Sequence, residues 1–141
     1  MRTEAGPKDL PTVLLAEKDE SPRRLFGVLL AEEGYRVIGV GTRAEVLELL
    51  RTTPRLDLVI ADRGLPGMPA WDIVQETAWC RPGVPCVRLV ESPSDAQPAH
   101  GANSPVEAML QRPVTIVDLL VTMESLLARA TSERQLTNQV K

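Results

Sequence analysis

One stretch, Asp57-Leu58-Val59-Ile60-Ala61-Asp62-Arg63-Gly64-Leu65-Pro66-Gly67-Met68, constrains the fold more than any other part of the chain. Four apolar residues lie between two aspartates, and a turn rich in Gly and Pro follows. An uninterrupted apolar run bounded by turn signals reads as a strand buried on both faces. Such strands belong to parallel sheets with helices on either side. Asp62 falls where the strand ends, and in open parallel sheets ligands gather outside the carboxyl ends of the strands. A carboxylate there is either a working group or the cap of the next segment.

Around this strand the hydrophobic period alternates between strand and helix. Residues 12–16 form an apolar run, Val13-Leu14-Leu15-Ala16. Ser21 then predicts a helix cap with Pro22 at the first helical position. Leu25, Phe26, Leu29 and Leu30 recur at helical spacing up to Gly34, a C-terminal stop. Residues 35–40 read as a second strand, and residues 42–52 as a helix with Val46, Leu47, Leu49 and Leu50 inward. After the central strand, residues 69–80 read as a helix, 85–90 as a fourth strand and 108–111 as a short fifth strand. Thr115 caps a last helix whose apolar face is Ile116, Leu119, Leu120, Met123, Leu126 and Leu127. Residues 91–105 carry Pro93, Pro98, Gly101 and Pro105. A proline inside a helix costs about 3 kcal/mol, so a helix in this segment is expected to be short, displaced or disordered.

Alternation of this kind gives a right-handed, doubly wound parallel sheet in which the first and third strands lie side by side. Glu17 and Asp62 then meet at one carboxyl edge as an acidic pocket. The chain is expected to divide into a disordered lead-in over 1–11, one domain over 12–130 and a flexible tail or linker over 131–141. A length of 141 residues suits one core. A net charge of −3 gives no basic field for direct nucleic-acid binding. No apolar run reaches membrane-spanning length and no signal-peptide pattern opens the chain, so a cytoplasmic location is expected. The single His100 argues against histidine-based catalysis, and Cys80 and Cys86 lack zinc-type partners. Trp71 and Trp79 read as packing residues, Cys86 as a buried hydrophobe, His100 as a solvated loop side chain, and Arg23 and Arg24 as a basic helix face.

Over residues 12–130 the chain resembles the receiver domains of bacterial two-component response regulators. The resemblance is carried by V-L-L-A-E-K-D-E-S-P-R-R-L, G-Y-R-V, D-L-V-I-A-D-R-G-L-P-G-M, P-C-V-R-L-V and the Arg112-Pro113 turn. It implies a flavodoxin-like (βα)5 fold with strand order 2-1-3-4-5, and a regulatory module rather than an enzyme. In such domains an aspartate ending the third strand accepts a phosphoryl group from a histidine kinase, and Asp62 stands at that position. An acidic pair after the first strand helps to hold a divalent cation; Glu17 and Lys18 stand there, followed by Asp19. A backbone carbonyl two residues past the aspartate completes the site, here that of Gly64. The hydroxyl position ending the fourth strand holds Val90, the phosphoryl-contacting lysine position holds Arg112, and the switching aromatic position holds Met109.

These departures have physical consequences. Mg2+ takes hard oxygen ligands in near-octahedral geometry. Lys18 offers none and adds positive charge; like unit charges about 4 Å apart repel by roughly 4 kcal/mol at an effective dielectric of about 20. Val90 has no hydroxyl for a phosphoryl oxygen, Arg112 is a planar fork rather than a compact ammonium, and Met109 cannot perform a ring rotation. The resulting expectation is a pocket neutralised without metal, in which the Lys18 ammonium takes the cation position and pairs with Asp62 while Asp19 faces elsewhere. The opposing reading sends Lys18 to solvent. No cofactor is expected; Mg2+ on Glu17, Asp62 and Gly64 belongs to the alternative. Two functions stay open: a degenerate receiver that docks a histidine kinase or output domain with Asp62 as a vestigial phosphoacceptor, and a switch phosphorylated on Asp62. A third, a flavodoxin-like cofactor-binding domain, lacks a Gly-rich phosphate loop after the first strand.

Overall fold

The computed structural model describes residues 10–92 and 107–139, with side chains through residue 133. The elements are β1 (Thr12–Ala16), α1 (Glu20–Glu32), β2 (Arg36–Val40), α2 (Arg43–Thr52), β3 (Leu58–Asp62), α3 (Ala70–Cys80), β4 (Cys86–Val90), β5 (Glu107–Gln111) and α4 (Ile116–Gln139). They form one five-stranded sheet, ordered β2-β1-β3-β4-β5, with every neighbouring pair parallel. This is the doubly wound flavodoxin-like order that the alternation implies.

The central strands are uniformly buried because both sheet faces are covered. Every residue of β1, β3 and β4 is buried, whereas the edge strands β2 and β5 are only partly so. Side chains alternate along β3. Val59 and Ala61 join Leu14, Val46, Leu50, Ile73 and Val74 in one core. Leu58 and Ile60 join Val13, Leu15, Leu119, Met123 and Leu126 in the other.

The two aspartates bracketing β3 have different work. Asp57 fastens the amino end: its N–H donates to the Thr12 carbonyl at 2.9 Å, and its carboxylate accepts from Thr12 N at 2.8 Å and Arg55 Nε at 2.9 Å. Asp62 lies at the opposite end, among the loops.

Local chemistry explains most boundaries. Thr42 caps α2 by accepting from Glu45 N at 3.2 Å, while Glu45 Oε1 accepts from Gly41 N at 3.0 Å. Thr115 caps α4 by accepting from Asp118 N at 3.0 Å. Several expectations need correction. α1 starts at Glu20, with Asp19 at the cap position, so Ser21 and Pro22 lie within the first turn. Pro22 is tolerated there because first-turn N–H groups have no intrahelical partner. α4 continues past Ala130 to Gln139, so residues 131–139 extend a helix where a loose tail was expected. Trp71 and Trp79 are 39% and 69% exposed rather than packed. The face α3 buries is Ala70, Ile73, Val74, Thr77 and Ala78, and the two indoles fall off that stripe.

Cys86 is buried, as expected, and burial pushes its thiol up to about 12. Arg88 on β4 is fully buried, a cation hidden in an apolar-looking strand, and pairs with Glu107. The expectations for the lead-in through Asp9, for the proline-rich segment beyond Ser92 and for His100 concern positions outside the described residues.

Candidate functional site

Strand register assembles the site. Ala16 stands beside Ala61 in the β1–β3 pair, so the next residues of each strand, Glu17 and Asp62, meet at the carboxyl edge. Glu17 N donates to the Val40 carbonyl at 3.0 Å, and Arg23 Nη1 donates to the Glu17 carbonyl at 2.8 Å. Both carboxyl side chains are fully buried. On the other side β5 ends beside β4, and Arg112 N donates to the Val90 carbonyl at 2.8 Å. That bond sets Arg112 directly across from Asp62.

Arg112 grips Asp62 with two donors. Nε donates to Oδ1 at 3.0 Å and Nη2 donates to Oδ2. This is the fork-on-carboxylate arrangement that a guanidinium makes and an ammonium does not. The Arg112 side chain is 23% exposed. Its Nη2 also lies 4.0 Å from Glu17 Oε2, and its Nε lies 3.8 Å from Glu91 Oε1. Asp62 thus accepts from a side chain 50 residues away.

The cation expected from Lys18 comes from elsewhere. Lys18 is exposed, and the ion pairs of Asp62 are with Arg112 and Arg63. Strand alternation accounts for Lys18: Glu17 turns inward, so the next residue turns out. Arg63 follows Asp62 directly and escapes the same rule because its backbone is left-handed, with φ of +58°. Its guanidinium lies 3.8 Å from Asp62 Oδ1, 4.0 Å from Glu17 Oε1, 3.6 Å from Asp19 Oδ2 and 3.2 Å from Glu91 Oε1. Asp19, expected to face elsewhere, comes within 3.6 Å of that guanidinium while its side chain stays 54% exposed. Its N–H also donates to Glu17 Oε1 at 3.0 Å.

Glu17 is the strained member of the group. Burial, then a hydrogen bond to the Asp62 side chain, raise its pKa to about 7, with the Asp62 charge adding to the rise. The Asp19 N–H and the Arg63 charge pull the other way without reversing it. The physical picture is a buried carboxyl that holds its proton up to near neutrality.

Gly64 is buried with φ of +91°, and an added Cβ would sit 2.8 Å from Ala70 N and 2.9 Å from Pro69 Cα. Only glycine fits this close approach to the start of α3. Val90 is buried at the end of β4, and Met109 on β5 is 45% exposed. The fit of a divalent cation can be judged from the donors. The carboxylates of Glu17, Asp19 and Asp62 surround a guanidinium at 3.6–4.0 Å, and both Asp62 oxygens accept from Arg112. Mg2+ needs oxygens at about 2.0–2.1 Å. The arrangement around Arg63 does not fit that ion.

No family model matches the chain. It is 30% identical over 125 residues to the transcriptional regulatory protein GlrR of Escherichia coli, a match covering 86% of this chain. The chain spans 28% of the length of the curated relatives it matches. Among solved structures, a CheY-like response regulator receiver domain protein from Methanospirillum hungatei superposes with a TM-score of 0.77 at 23% identity, covering 88% of this chain and 98% of that one. NtrX from Brucella abortus gives 0.77 at 16% identity, covering 92% of this chain and 30% of that one. The sheet order and these likenesses show that the chain has the fold of CheY-like response regulator receiver domains, and in sequence it is similar to the GlrR regulator over 125 residues.

Proposed function

We propose that this receiver is degenerate: a cytoplasmic docking module of a two-component system, with Asp62 a vestigial phosphoacceptor that does not turn over phosphoryl groups. The observation that carries the reading is the two-donor grip of Arg112 on Asp62. To attack phosphorus, a carboxylate oxygen must present a free lone pair along the line of the leaving group. Here each Asp62 oxygen already accepts an N–H, and the carboxylate is buried beneath the fork. Freeing one oxygen means breaking a charge-assisted bond of about 1.5–3 kcal/mol. Val90 supplies no hydroxyl to a transferred group, and exposed Met109 supplies no ring to follow it.

Such a module acts through its surface. Its partner is a signalling protein, a histidine kinase or an output domain, and its own chemistry is recognition rather than catalysis. We propose neither direct nucleic-acid binding nor membrane insertion for this chain. Among the described residues, no helix is long and apolar enough to cross a membrane.

The competing reading is a receiver that accepts a phosphoryl group on Asp62 from a histidine kinase. It is favoured by the burial of Asp62 beside Glu17 at the carboxyl edge. In that case Glu17, Asp62 and the Gly64 carbonyl would hold Mg2+, which would supply charge neutralisation at the phosphoryl oxygens. Incubation with acetyl phosphate, with and without Mg2+, followed by intact-mass measurement separates the two. The docking reading expects no phosphoryl adduct on the wild-type chain. An adduct that forms with Mg2+ and is lost in Asp62→Asn overturns it.

A further inference from the structure

We propose that Arg63 is the resident cation of the acidic pocket: its guanidinium occupies the space among Glu17, Asp19 and Asp62 that a divalent ion would need, and so closes the pocket to metal. The inference rests on the geometry of the pocket and not on the docking reading, although Mg2+-dependent labelling of Asp62 would overturn both.

Three observations converge. The first is position. One guanidinium lies within 4.0 Å of all three carboxylates, its Nη2 facing Glu17 and Asp19 and its Nε facing Asp62. The second is backbone. Arg63 is the one non-glycine residue with positive φ among the described residues, at +58°. Holding a long side chain in this conformation costs free energy, and such departures persist where the surroundings impose them. Here the conformation sends two consecutive side chains, Asp62 and Arg63, to the same pocket, which an extended strand end would not do. The third is an unfinished coordination. Glu17 Oε2 is buried and has no hydrogen-bond partner, although Arg112 Nη2 lies 4.0 Å away.

The occupant that Arg63 displaces is a hard divalent cation, because the available donors are carboxylate oxygens. As they stand, Glu17, Asp19 and Asp62 do not form a group that could hold a metal among the described residues, and removing the guanidinium should let them close on a cation. Asparagine suits the test because it tolerates the left-handed backbone. Mn2+ alone serves as the probe, with the loss of its free electron-paramagnetic-resonance signal reporting binding. Arg63→Asn should bind Mn2+ at least about tenfold more tightly than the wild type, equivalent to about 1.4 kcal/mol. Arg63→Lys, which keeps the charge, should show no such gain, and Glu17→Gln in the Arg63→Asn background should abolish it. Arg63→Gly, favoured by the same φ, should reproduce the gain and guards against a fold defect peculiar to one variant. Equal affinity in wild type and Arg63→Asn overturns the proposal. So does a folded Arg63→Asn and Arg63→Gly pair, judged by thermal melts, that gains nothing.

The outcomes stay separable from those of the docking reading. Metal-tight wild-type protein without phosphoryl labelling removes Arg63 from this role and leaves docking intact. Metal-independent labelling of Asp62 does the reverse.

Discussion

Cutting the Arg112–Asp62 grip should cost stability, and the cost should belong to the pair rather than to either residue. The perturbation is a double-mutant cycle of Arg112→Leu and Asp62→Asn. Asp62 is 1% exposed and accepts two donors from one guanidinium, so little water replaces the lost bonds on its side. Hydrogen bonds to charged groups contribute about 1.5–3 kcal/mol each. Two effects reduce that sum. The Arg112 side chain is 23% exposed, so water competes for its donors. Arg63 Nε, 3.8 Å from Oδ1, compensates part of the charge left behind. The expected coupling is about 2 kcal/mol, with Arg112→Leu alone destabilising by about 2–3 kcal/mol, below the upper range for breaking a fully buried pair. Urea unfolding followed by Trp fluorescence near neutral pH measures all four corners, and the double variant should be less damaged than the two single effects combined. Additivity within about 0.5 kcal/mol, the behaviour of independent sites, would refute the reasoning.

The carboxyl of Glu17, raised to about 7, makes a pH prediction with a definite sign. The folded state holds this proton between about pH 4.5 and about pH 7 while the unfolded chain has released it, so its contribution to stability falls as pH rises through that window. Glu17→Gln should flatten this slope and unfold at a higher urea concentration than wild type above the window, by about 1 kcal/mol, with the advantage shrinking below it. Gly64→Ala should destabilise by about 1–3 kcal/mol in the same assay, because φ of +91° and a 2.8 Å approach to Ala70 N leave no room for a Cβ. Thr42→Ala should cost about 1 kcal/mol through loss of the α2 cap, whereas Thr42→Ser should retain most of it.

The fold was legible because its determinants are local and repeated. The apolar run ending at Asp62, the cap at Thr115 and the helical spacing from Ile116 to Leu127 each specify an element without reference to the rest. The meeting of Glu17 with Asp62 followed from topology alone. The identity of the cation did not, and the reason is geometric. A strand's alternation assigns Glu17 inward and Lys18 outward, and the same rule applied to Asp62 sends Arg63 away. The left-handed backbone at Arg63 breaks that rule, and a non-glycine residue carries little sequence signal for such a conformation. Its adjacency to Asp62 at a strand end, immediately before Gly64, was the available clue. The tryptophans misled for a related reason. Aromatic residues at helical spacing suggest burial, yet α3 lies on the sheet through Ala70, Ile73, Val74, Thr77 and Ala78. Arg88 shows the converse, since its charge is hidden only because Glu107 on the neighbouring strand reaches it.

The most direct test of the central claim looks at the Arg112 fork itself. In a 15N-labelled sample, the Arg112 Nε–H resonance should be shifted and slow to exchange with solvent, as expected for a donor held on a buried carboxylate. In Asp62→Asn it should move toward the position of a free arginine and exchange quickly. Fast exchange in the wild type, or a resonance indifferent to Asp62→Asn, would mean that the carboxylate is not held by Arg112, and the account of a docked but unswitched receiver would fail with it.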